Sequence, residues 1–123
     1  MAVDLSYDGV WLLVTFSDAI TAADLTEVMQ YALDLDSRVT PAPNRLVDFG
    51  PSTTLAIGFV DMANLVHLRK TAPLANPVRT ALVVHSTAQQ GYARMFQTLN
   101  DHPLVTIAVF SDRAAAEAWL DGG

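Results

Sequence analysis

The sequence contains no cysteine. That absence excludes thiolate catalysis, cysteine-ligated zinc and any disulfide staple, and it fits a reducing cytoplasm as the expected location. Basic residues are few: seven Lys and Arg stand against thirteen Asp and Glu, a formal charge of −6. They are also dispersed, with only Arg69 and Lys70 adjacent. Nucleic acid calls for a clustered basic face and an anionic membrane for a polybasic segment, so neither is an expected partner. No run approaches the roughly 20 apolar residues of a membrane span. Met1–Val10 has neither the basic stretch nor the long apolar stretch of a secretory signal. His67, His85 and His102 are far apart and lack the short spacing that puts two metal ligands on one helix face. Asp34 and Asp36 read as a solvated acidic patch at a helix end. No metal or cofactor is expected.

What the chain does have is apolar material: 51% of its 123 residues are hydrophobic and only 16% charged. A chain of this length buries about two thirds of its unfolded surface, and residues 1–123 read as one domain. Val3–Tyr7 alternates apolar and polar residues, Asp8-Gly9 follows, and Val10–Phe16 is nearly continuously apolar. An Asp-Gly pair between two such runs predicts a tight hairpin with both turn residues at positive φ. A strand apolar on both faces predicts a sheet covered on both sides. Thr21 and Asp24 then open a helix carrying Leu25, Val28, Met29, Ala32 and Leu33 on one face. The prolines at 41 and 43 mark a loop.

Arg45–Phe49 is a short strand with Asp48 near its end. Gly50-Pro51 breaks it, and Ser52, Thr53 and Thr54 offer caps for a helix over about Leu55–Lys70. Arg79–His85 is another buried strand. Ser86-Thr87-Ala88-Gln89 fits a capping box, and Tyr92, Met95, Phe96 and Leu99 make a helical stripe. Leu104–Phe110 is the last strand, and Ser111-Asp112 cap a short helix carrying Ala115, Ala116, Trp119 and Leu120. Gly58 and Gly91 fall inside predicted helices, where close helix–sheet packing is the expected reason for them. The alternation predicts an α/β fold: a mixed five-stranded sheet, four strands parallel and one antiparallel edge strand from the N-terminal hairpin, with about four helices.

Several of these stretches resemble the STAS-like domains, the SpoIIAA-like antagonists of anti-sigma factors. They are the Asp8-Gly9 hairpin with its apolar strand, the Thr21-Ala-Ala-Asp24-Leu25 helix start and Arg45-Leu-Val-Asp-Phe49 ahead of a Ser/Thr cluster. Thr80-Ala-Leu-Val-Val84 and the terminal Ala-Glu-Ala-Trp-Leu resemble the bacterial branch related to Sec14-like proteins. The resemblance implies a SpoIIAA-like sheet. In the antagonists an Asp-Ser-Ser-Gly-type segment carries a phosphorylated hydroxyl, a role the resemblance gives to Ser52 or Thr53. Here Pro51 stands in place of that motif's Asp, and Thr54 in place of its Gly.

In parallel α/β sheets ligands meet the carboxyl ends of the strands. That edge gathers Asp48, Ser52, Thr53 and Thr54 as phosphorylation or partner-binding candidates, with Ser86, Thr87 and Ser111 as anion-binding candidates at helix starts. The leading expectation is a non-enzymatic regulatory or protein-interaction module that docks a partner or small anion at Asp48–Leu55. It would be switched by Ser/Thr phosphorylation. A Sec14-like carrier of a small apolar ligand or lipid is the alternative, and it requires a cavity beneath the Tyr92–Leu99 helix. A hydrolase using His85 and Ser86 is the second alternative, and it requires those side chains to meet near Asp48. The edge strand Val3–Tyr7 makes a homodimer an expected assembly.

Overall fold

The structure, a computed structural model, describes residues 3–50 and 55–122. Ser52, Thr53 and Thr54 lie outside the described residues. Five strands form the main sheet: β1 (Val3–Tyr7), β2 (Trp11–Phe16), β4 (Asn44–Asp48), β6 (Val78–Val83) and β7 (Val105–Phe110). They lie side by side in the order β1-β2-β4-β6-β7. β1 is antiparallel to β2 and the other neighbours are parallel. This is the mixed α/β sheet expected from the sequence. Two short strands, β3 (Ile20–Thr21) and β5 (Leu55–Ala56), pair with each other in parallel. The helices are α1 (Ala22–Arg38), α2 (Phe59–Thr71), α3 (Thr87–Leu99) and α4 (Arg113–Leu120).

The hairpin turn differs from the tight type. Gly9 alone has positive φ, 94°, and the Asp8 carboxylate accepts from the backbone N–H of Val10 at 2.8 Å and of Trp11 at 2.9 Å. An Asp side chain standing in for a backbone acceptor builds the turn without entering the left-handed region itself. Those same bonds hold the Asp8 carboxyl below its ordinary pKa, Trp11 contributing most.

Helix α1 starts as expected, with Thr21 and Asp24 capping each other reciprocally. Helix α2 does not start where the sequence suggests. Its N-cap is Gly58, whose N–H donates to Asp61 at 3.1 Å, and Leu55–Ala56 is strand. Neither of the glycines expected inside helices is a packing glycine. A Cβ at Gly91 would meet nothing within 4 Å, and one at Gly58 only the Asp61 carboxylate at 3.9 Å. Gly91 lies in α3 without positive φ. Gly91→Ala is therefore expected to raise stability by about 0.5–1 kcal/mol by removing backbone freedom from the unfolded chain, read as a higher urea midpoint.

The two faces of the sheet are covered unequally. Among the described elements α4 lies on one face, where Ala116 and Leu120 pack with Leu46, Ala81 and Val83 against Trp11, Leu13, Phe110 and Trp119. The Arg79 guanidinium stacks 5.1 Å above the Trp119 ring and donates to its carbonyl. Helices α1, α2 and α3 share the other face, over Leu12, Val14, Phe16, Phe49 and Leu82. Helix α1 leans on β1 and α3 on β7, while the principal contacts of α2 are with α1 and α3. That spacing leaves a gap above the centre of the sheet.

Candidate functional site

The carboxyl ends of β4 and β6 and the start of α4 do converge, as the alternation requires. Asp48 Oδ1 accepts from Gly50 N at 2.9 Å and from His85 Nε2 at 2.7 Å, and Arg113 stands 3.8 Å from Oδ2. Gly50 makes the turn at φ 78°, a conformation that favours glycine. Gln89 locks this edge together. It is fully buried, and its side chain accepts from His85 N at 2.7 Å and donates to the Gly50 carbonyl at 2.7 Å. The capping box expected from Ser86 and Gln89 is thus only half made. Ser86 Oγ accepts from Gln89 N at 3.1 Å, but the glutamine side chain joins two strand ends instead of returning to the cap. Gln89→Ala strands a buried carbonyl and a backbone N–H. It is expected to cost about 2 kcal/mol, measured by urea unfolding.

The remaining edge candidates are simpler. Thr87 opens α3 and is exposed, and so is Ser111. The cap of α4 is Asp112, which accepts from Ala114 N at 3.0 Å. Of the pair invoked for hydrolysis, only His85 meets Asp48, while the Ser86 oxygen faces its own helix. A serine nucleophile needs its base on its own hydroxyl, and this edge spends the two side chains on different partners.

The second candidate site is a cavity of about 150 Å³ in the gap between the sheet and α1–α3. Its floor is Leu12, Val14, Val47, Phe49, Thr80, Leu82 and Ile107, and its roof and walls include Val28, Met29, Leu65, Val66 and Phe96. Val47 and Thr80 lie on the two strands nearest the sheet centre yet are only half-buried, and both line this space. Phe96 and Asn100 place the cavity beside α3, while Tyr92, Met95 and Leu99 of the same helix do not line it.

One end of the cavity is charged. Arg45 and Arg69 line it, 6% and 9% exposed. Between them stands Asp36, its side chain 3% exposed. This corrects the expectation of a solvated acidic patch, because α1 runs on to Arg38 and turns Asp36 inward. Asp36 Oδ2 accepts from Arg45 Nη2 and, at 2.7 Å, from Arg69 Nη1. Arg45 Nη1 also donates to the Pro43 carbonyl at 2.5 Å. Burial pulls the Arg45 pKa below its ordinary value, Asp36 opposes that, and Arg69 adds to it. Two buried guanidinium groups thus share one carboxylate. Asp36 Oδ1 and Arg69 Nε and Nη2 have no partner among the described residues.

Sequence reasoning missed Asp36, Arg45 and Arg69, although a signal was present. Each stands where the local period calls for an apolar residue: Asp36 follows Met29 and Ala32 at helical spacing, Arg69 follows Met62, Leu65 and Val66, and Arg45 alternates with Val47 and Phe49.

No protein-family model matches the chain, and no curated protein matches it. A similar solved structure is that of an uncharacterized protein from the DUF3478 family of Shewanella loihica PV-4, described as having a SpoIIAA-like fold. It is 18% identical, has a TM-score of 0.60, and the likeness covers 97% of this chain and 92% of that one. The likeness is one of fold, and it bears out the SpoIIAA-like fold expected from the sequence.

Proposed function

We propose that this chain is a non-enzymatic binding module that holds a small apolar or amphipathic molecule between its sheet and helices α1–α3. The cavity carries this reading. Protein interiors pack like organic crystals, with few voids larger than a water. This space is partly open to solvent, so its apolar lining meets water when nothing occupies it, and covering that lining favours a guest. A space of about this volume, lined by aliphatic and aromatic side chains, is known to accept a benzene-sized guest. Among the described residues no helix is long and apolar enough to cross a membrane, and the cysteine-free composition supports a cytoplasmic setting.

Native mass spectrometry of the protein purified from its own cells tests this reading. The expected result is an added mass that dissociates on collisional activation and is absent from a variant with a filled cavity. A bare chain mass under the gentlest conditions would overturn it.

A second reading is partner docking at the strand-end edge, switched by phosphorylation at Ser52 or Thr53. The observation favouring it is the cluster of Asp48, His85 and Arg113 at the strand ends, with Asp48 a few residues ahead of Ser52 in the chain. A phosphate on either hydroxyl would add nearly two negative charges close in sequence to Asp48 and change the charge presented to a partner. Intact-mass measurement is expected to show a phosphate that Ser52→Ala with Thr53→Ala removes; its absence from protein made in its own cells would count against the switch. In the same reading the free edge of β1 supports a homodimer, and a monomer by light scattering at high concentration would contradict that.

A further inference from the structure

The charged end of the cavity narrows the class of ligand. Helix α2 exposes Phe59 and Val60, 60% and 69%, while burying Arg69. That inverts the usual partition, since Arg is seldom buried unless its donors are satisfied. The Nη1 side of Arg69 is satisfied by Asp36. Its Nε and Nη2 are not, and together they form the planar two-donor edge that matches a carboxylate with two parallel hydrogen bonds. The local charge agrees. Asp36 supplies one negative charge against two guanidinium groups, and an arginine stays protonated. One positive charge is left over in a place that penalises unpaired charge. Thr80 and Asn100 are the other polar lining residues; Val14, Val47, Leu82 and Phe96 offer no hydrogen-bonding side chain.

We infer that the cavity takes a small monocarboxylate, its carboxylate on the Nε–Nη2 edge of Arg69 and its short apolar tail among Val14, Val47, Leu82 and Phe96. This rests on the reading of the cavity as a ligand site and adds the chemistry of the head group. The volume limits the tail to about six carbons, the size of the benzene guest such a cavity accepts.

Isothermal titration of the full chain with hexanoate, and separately with 1-hexanol as the uncharged counterpart, tests the inference. Hexanoate is expected to bind at least about tenfold more tightly, the minimum for two hydrogen bonds between charged groups. Arg69→Met keeps the length and apolar stem of the side chain and leaves Asp36 paired one to one with Arg45. It is expected to abolish the preference for hexanoate while hexanol still binds. Arg69→Lys keeps the charge without the fork and is expected to retain only part of the preference.

Equal affinity of the wild type for the two probes, or a preference that survives in Arg69→Met, would overturn the carboxylate assignment and leave the cavity standing. Binding of neither probe to the wild type would overturn the cavity reading and this inference with it. Circular dichroism establishes that Arg69→Met is folded; if it is not, the two-probe comparison on the wild type decides.

Discussion

Asp36→Leu is expected to remove about 3–5 kcal/mol of folding stability, the cost of stripping the counter-charge from a buried ion pair. Leucine is close to aspartate in branching and is the better helix former, so the loss is electrostatic. It leaves Arg45 and Arg69 facing each other with, among the described residues, only the Pro43 carbonyl as a remaining acceptor for either. Adding Arg69→Met to Asp36→Leu is expected to recover part of the loss, because contacting residues couple. Urea unfolding of the two single variants and the double variant measures both effects. An acidic residue on a solvated helix end would change stability by no more than about 0.5 kcal/mol, and that result would place Asp36 outside the core.

Val47→Phe is the second large effect, and its sign is the informative part. In a packed core, adding four carbons to a valine on a central strand forces strain and costs about 1–3 kcal/mol. Here Val47 faces the cavity. The ring is expected to fill about half of it and raise stability by roughly 2 kcal/mol. The same substitution is expected to weaken hexanol binding more than about a hundredfold, since the space the guest needs is gone. Thermal unfolding and titration on one preparation give the two readouts. A destabilised Val47→Phe that still binds hexanol would contradict the placement of the cavity.

The frame of the fold was legible in the sequence where periodicity was long. The Val3–Tyr7 strand has the same bounds in the structure, and Thr21, Ser86 and Asp112 are the caps of their helices. Short elements were not legible. β3 and β5 have two residues each, too few to show a period, and β5 occupies the first turn of a predicted helix. Leu55 and Phe59 run on at helical spacing across Gly58, so the pattern alone puts it inside a helix, whereas the Asp61 carboxylate that accepts from its N–H starts the helix there.

The candidate site divides along similar lines. The strand-end edge follows from topology alone, and Asp48 and His85 meet there. The buried charges could have been found, because Asp36, Arg45 and Arg69 break three apolar patterns at in-phase positions. Their meeting could not have been, since they come from α1, β4 and α2, and only the packed structure brings them to one carboxylate. The cavity is the least legible feature of all. Its existence depends on how far α2 stands from the sheet, a distance set by packing against α1 and α3 that no local pattern encodes.

The central claim is that this apolar space admits a guest. Methyl-resolved NMR during titration with 1-hexanol tests it within one molecule, because the sheet has two covered faces and only one holds the cavity. The account predicts saturable shifts at Val14, Val47, Leu82 and Ile107, which line it, with little change at Leu13, Leu46 and Val83, which pack under α4. Shifts of equal size on both faces, or none at saturating hexanol, would contradict it.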